Sequence, residues 1–139
     1  MKYKAALGLI VLLALLETAL IFMGVLPPLS ENNTGNAAFI IAKLGVIAYA
    51  AWTNAREGFR TSFTAGFTVS VADITLMCMA IGMIGLANIQ SLGLPLDSAG
   101  RLLAMLAITF AANAMLMALV VGIIALAATK VRKAKKARY

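Results

Sequence analysis

The stretch AALGLIVLLALLETALIFMGVL, residues 5–26, contains a single ionisable side chain, Glu17. A helix rises about 1.5 Å per residue, so a run of this length reaches across the ~30 Å hydrocarbon core of a bilayer. Three further apolar runs follow, at about 37–54, 63–89 and 102–129. Polar and turn-forming segments separate them: PPLSENNTGN (27–36), TNAREGFRTS (53–62) and IQSLGLPLDSAG (89–100). Of the 139 residues 63% are hydrophobic and 12% charged, against about 45–50% apolar content in a soluble domain. The expected fold is all-α, an integral membrane four-helix bundle over residues 1–129 followed by a basic tail at 130–139.

The first run opens on MKYK, as a signal peptide would, but its apolar part exceeds the roughly 7–15 residues of a cleaved leader. The sequence MGVLPPLS (23–30) is also a poor small-residue cleavage site, so helix 1 is expected to be retained. The single cysteine, Cys78, falls inside the third run and has no intrachain partner. Histidine is absent, which removes the usual haem ligand and the usual proton shuttle near neutral pH. No Gly-rich phosphate loop, paired metal ligands or serine with a base at workable spacing is present. The chain is therefore expected to be non-enzymatic, with no catalytic residues, no cofactor and no metal.

The net charge of +7 is distributed unevenly. Lys2 and Lys4 precede helix 1, Arg56 and Arg60 lie between helices 2 and 3, and Lys130, Arg132, Lys133, Lys135, Lys136 and Arg138 follow helix 4. The other two loops carry only Glu31, Asp97 and the boundary residue Arg101. By the positive-inside rule, four spans with both termini cytoplasmic are expected, in a multi-pass cell-membrane protein. The six basic residues after helix 4 are read first as a topology anchor and second as a contact for anionic lipid, worth about 1 kcal/mol per residue near a negative leaflet. Nucleic-acid binding is not expected, because no aromatic or base-reading motif accompanies the charge.

Inside the spans lie three ionisable groups: Glu17 in helix 1, Lys43 in helix 2 and Asp73 in helix 3. Such groups cost ~2.5–3.5 kcal/mol each on insertion scales, so each needs a partner. Depth can be counted from the nearest basic flank. Glu17 is 13 residues from Lys4, Lys43 is 13 from Arg56 and Asp73 is 13 from Arg60, which places all three in one layer. Consecutive helices joined by short loops tend to be neighbours. An intramembrane cluster of Glu17, Lys43 and Asp73 follows, with Thr109 and Asn113 of helix 4, one turn apart, as supporting polar groups. Two acids against one ammonium leave one negative charge, to be met by a proton, by Ser70 or Thr64, by a partner protein or by a water-filled path.

Glu17 and Lys43 stand 26 residues apart within LLALLETALIFMG and IIAKLGVIAYAAW. Residues 5–54 thereby resemble the first two helices of the small bacterial cytochrome or quinol oxidase subunit IV family, in which a helix-1 carboxylate precedes a helix-2 lysine at about such spacing. That family's helix 2 typically ends in a Phe-Met-His-Leu-type sequence, where this chain reads AYAAWTN, and it usually has three helices, not four. The resemblance implies a cofactor-free accessory subunit that helps a haem-copper oxidase assemble, with a structural role for Glu17 and Lys43.

Three weaker signals remain. MCMAIGMIG (77–85), with Met105, Met115 and Met117, offers soft ligands to Cu(I), although methionine is more often adaptable filler. Small residues recur at Gly82, Gly85, Ala107, Ala111, Ala114 and Ala118, a pattern that lets helices 3 and 4 pack closely on each other, on a second copy or on another membrane subunit. Asn32-Asn33-Thr34 forms a glycosylation triplet. No span contains a central proline, since Pro27, Pro28 and Pro95 all lie in loops, so the broken helix typical of a midplane transport site is absent. The sequence therefore favours a non-catalytic accessory or assembly subunit of a multisubunit membrane complex, a respiratory oxidase being the first candidate. The rival is a small oligomeric transporter or channel for protons or cations using the intramembrane carboxylates.

Overall fold

The computed structural model describes residues 3–26, 34–91 and 97–136. Lys2, Asn32, Asn33 and Arg138 lie outside them, and Lys135 and Lys136 are described as helical backbone only. Four helices account for nearly all of the described chain: α1 (Lys4–Phe22), α2 (Thr34–Asn54), α3 (Phe59–Ser91) and α4 (Asp97–Lys136), with a short 3-10 turn at Ala55–Glu57. All four are long and apolar enough to cross a membrane.

The helix ends differ from the apolar runs for local reasons. α1 stops at Phe22 because Gly24 takes a left-handed φ of 71°. The chain then folds back, Met23 N–H donating to the Ala19 carbonyl at 2.9 Å and Val25 N–H to that of Leu20 at 3.0 Å. α3 begins four residues before its apolar run, at Phe59, directly after Gly58 with φ 111°. α4 begins at Asp97 and runs through the basic residues to Lys136. Lys, Arg and Ala are strong helix formers, so the basic segment continues helix 4 instead of forming a separate tail.

Helices α2 and α3 form the middle of the bundle. Each packs against all three other helices, whereas the backbones of α1 and α4 do not approach each other among the described residues. At the end of the bundle near Arg56 and Arg60 the backbones of α2, α3 and α4 converge on Gly66. A Cβ there would lie 2.8 Å from Val121 Cγ1 and 3.1 Å from Ala51 Cβ. The core around this junction is Ala6 and Ile10 of α1, Val46, Ile47 and Ala50 of α2, Val69 of α3 and Val121 of α4. Towards the other end α3 and α4 meet again through small residues, Gly82 against Leu106 and Gly85 against Leu102. Ala107 and Ala111 are exposed, so the small-residue pattern of helix 4 is only partly used inside the chain.

Leu12, Ile41, Ile108, Met115, Leu119 and Ile123 all point outward and are more than half exposed. A surface of this kind suits lipid and would be a liability in water. One polar tie reinforces the junction: the buried Ser62 hydroxyl donates to the Ala51 carbonyl at 2.7 Å, joining α3 to α2. Ser62→Ala is expected to lower stability by about 1 kcal/mol, read as a lower thermal midpoint in mild detergent. An unchanged midpoint would show that the bond contributes nothing.

Candidate functional site

The buried stripe of α1 is Ala6, Ile10, Ala14 and Glu17, spaced four, four and three residues apart. That spacing follows one helix face, so the acid is carried inward by the same stripe that builds the core. Lys43 occupies the corresponding position on α2, along with Val46, Ile47 and Ala50. On α3 the buried residues Ser62, Ala65, Val69 and Ser70 lead on to Asp73 and Ile74. Three packing faces therefore deliver three ionisable groups to one place.

There the lysine stands between the two acids. Lys43 Nζ donates to Glu17 Oε2 at 2.5 Å and lies 3.0 Å from Asp73 Oδ1. The side chains differ in shielding: Glu17 is 1% exposed, Lys43 7% and Asp73 17%. The two contacts also differ in kind. The Glu17 contact is a directed, charge-assisted hydrogen bond. Asp73 Oδ1 is an ion-pair contact of the same ammonium and, among the described residues, has no directed hydrogen bond. Lys43 thus belongs to Glu17 and is lent to Asp73, and the formal charge of the cluster is −1 when all three groups are ionised.

The hydroxyls expected near Asp73 are used elsewhere. Ser70 donates to the Gly66 carbonyl at 3.0 Å and Thr64 to that of Arg60 at 2.8 Å, each within its own helix. Thr109 and Asn113 are brought to the same region without joining the cluster. Asn113 Nδ2 donates to the Thr109 carbonyl at 2.8 Å, and both side chains are exposed.

Glu17, Lys43 and Asp73 line a cleft of about 420 Å³ that opens between α2 and α4. Its floor is the α3 face carrying Ser70, Asp73, Ile74, Met77, Cys78 and Ile81, while α2 contributes Ile40, Leu44 and Ile47 and α4 contributes Thr109, Asn113 and Met117. The close-packed Gly66 junction blocks the end nearer the basic residues. In the other direction the cleft reaches Ile40, six residues into α2 and so about 9 Å from the start of that helix.

The sequence reading missed the apolar part of this lining. The signal was present: Asp73, Met77 and Ile81 are four apart, and so are Thr109, Asn113 and Met117. The methionine pattern is divided by the fold, because Met79, Met83, Met105 and Met115 face outward while Met77 and Met117 reach the cleft. Among the described residues, no group of three His, Cys, Asp or Glu side chains is placed to hold a metal ion. Comparison with protein-family models, with curated proteins and with solved structures finds no match to this chain.

Proposed function

We propose that the chain is a small integral membrane protein, both termini cytoplasmic, that binds a proton or other monovalent cation in the α2–α4 cleft and carries it across the bilayer. Asp73 is the exchangeable carboxylate, and the Glu17–Lys43 pair is the fixed frame against which it loads and unloads. No bond-making chemistry is part of this role. One observation carries the reading: a single ammonium serves two carboxylates on the wall of an open cleft, so a negative charge is left where lipid offers nothing to solvate it. A purely structural ion pair would be sealed between helices. Here Asp73 is the least shielded member of the cluster and the one held without a directed hydrogen bond.

Reconstitution tests this. Liposomes containing the purified chain are expected to pass protons or monovalent cations faster than empty liposomes, with the flux reduced at least tenfold in Asp73→Asn. That reduction corresponds to about 1.4 kcal/mol of lost stabilisation. Wild-type liposomes no leakier than empty ones would overturn the proposal.

A second reading is supported by the outer face of α4. There Ala107 and Ala111, four residues apart on one face, are exposed, a small-residue surface that lets another helix pack closely. On that reading the chain is an accessory subunit of a larger membrane complex, a respiratory oxidase being the first candidate by resemblance. Stoichiometric co-purification of the native chain with a haem- or metal-bearing complex would favour it over transport.

A further inference from the structure

We infer that the ligand of the cleft is an organic monocation carrying apolar groups, an amine or quaternary ammonium, and not a bare inorganic ion. The inference rests on the cation-binding part of the preceding reading and adds the class of ligand.

Charge sets the first condition. The cluster carries one carboxylate more than its lysine can neutralise, because Asp73, at 3.0 Å, shares that lysine with Glu17. Lys43 is hydrogen-bonded to Glu17, which leaves Asp73 as the carboxylate of the cluster without a directed hydrogen bond. A monovalent cation restores neutrality, whereas a divalent one reverses the imbalance.

The lining sets the second condition. A hard inorganic cation exchanges its water shell for about six oxygen ligands. Around Asp73 the side-chain oxygens are those of Glu17, Ser70, Thr109 and Asn113, and the Glu17 carboxylate is already paired with Lys43. The remaining wall is aliphatic and sulfur-bearing: Ile74, Met77, Cys78 and Met117. Such a wall cannot replace a hydration shell, but it can bury the alkyl or aryl part of an organic cation, and methionine adapts to irregular apolar shapes.

Size sets the third. At about 420 Å³ the cleft far exceeds a bare ion and falls within the ~300–1,000 Å³ typical of small-molecule sites, which are mostly apolar with a few convergent polar groups. The cleft is closed off at the Gly66 junction and extends from there towards Ile40. An amphipathic cation would enter with its charge leading to Asp73 and its apolar groups against Met77 and Met117.

Cys78 provides the reporter. It is the only cysteine of the chain and it lines the cleft. Wild-type full-length protein in non-ionic detergent is treated with N-ethylmaleimide alone, with benzyltrimethylammonium, with its uncharged isostere neopentylbenzene, or with sodium chloride. Benzyltrimethylammonium is expected to slow Cys78 modification at least threefold and saturably, while the isostere and sodium do not. Asp73→Asn should abolish the protection and Asp73→Glu should retain it. Should Asp73→Asn fail to fold, Met77→Trp, which fills the cleft and keeps its charge, should abolish protection instead.

Equal protection by the isostere, protection by sodium alone, or no protection by the organic cation would each overturn the inference. The transport reading fails separately: proton flux without protection sinks the ligand class and leaves that reading standing, and protection without flux does the reverse.

Discussion

Lys43→Met is expected to destabilise the folded chain by about 3–5 kcal/mol, the cost of removing one partner from a buried ion pair. The change deletes the only ammonium serving two acids and leaves Glu17, 1% exposed, with no cation beside it. The shape of the side chain is nearly kept, so lost volume cannot account for the effect. In a denaturant titration of detergent-solubilised protein the single variant should unfold well before wild type. The double variant Glu17→Gln, Lys43→Met should recover part of the loss, because the charge that the mutation stranded is gone. Also replacing Asp73 by asparagine should recover more. If the single-variant costs simply add in the double variant, the three groups are not coupled and the cluster has no structural role.

Gly66→Leu is expected to cost about 3 kcal/mol or more, the upper end for overpacking a well-filled core. The reason is geometric. Even one added carbon would stand 2.8 Å from Val121 Cγ1, 3.1 Å from Ala51 Cβ and 3.6 Å from the Ile47 carbonyl oxygen. Two of these neighbours cannot yield easily: a valine has one strongly preferred side-chain rotamer in a helix, and the Ile47 oxygen is backbone. A Cβ added at Gly45 or Gly8, both exposed, meets nothing within 4 Å, and leucine there should be neutral or mildly stabilising, since leucine is the better helix former by up to about 1 kcal/mol. Thermal midpoints of the three variants under one detergent condition decide the matter. Equal tolerance at all three positions would show that α2, α3 and α4 do not converge at Gly66.

Such convergence could not be read from the sequence, and neither could the face on which each charge points. Helices apolar all round carry no periodic signal separating an inward stripe from a lipid-facing one. Leu12 and Ile10 look equally apolar in the chain, yet the first is 61% exposed and the second fully buried. The depth of the charges was legible, because each lies 13 residues from a basic flank and helix rise is fixed. The same count did not reveal that Lys43 bonds to Glu17 while only touching Asp73. It also placed Thr109 and Asn113 at a suitable height, but their hydrogen bond runs within α4.

By itself, then, the sequence determined the number of helices, their approximate limits and the layer in which two acids and a base must lie. Those properties follow from composition, run length and a constant rise per residue. Only the tertiary structure decided that α2 and α3 form the middle of the bundle, that small residues pull three helices together at Gly66, and that α2 and α4 leave a cleft beside the charges. Packing depends on which side chains meet across helices, and a chain apolar on every face does not announce those meetings one residue at a time.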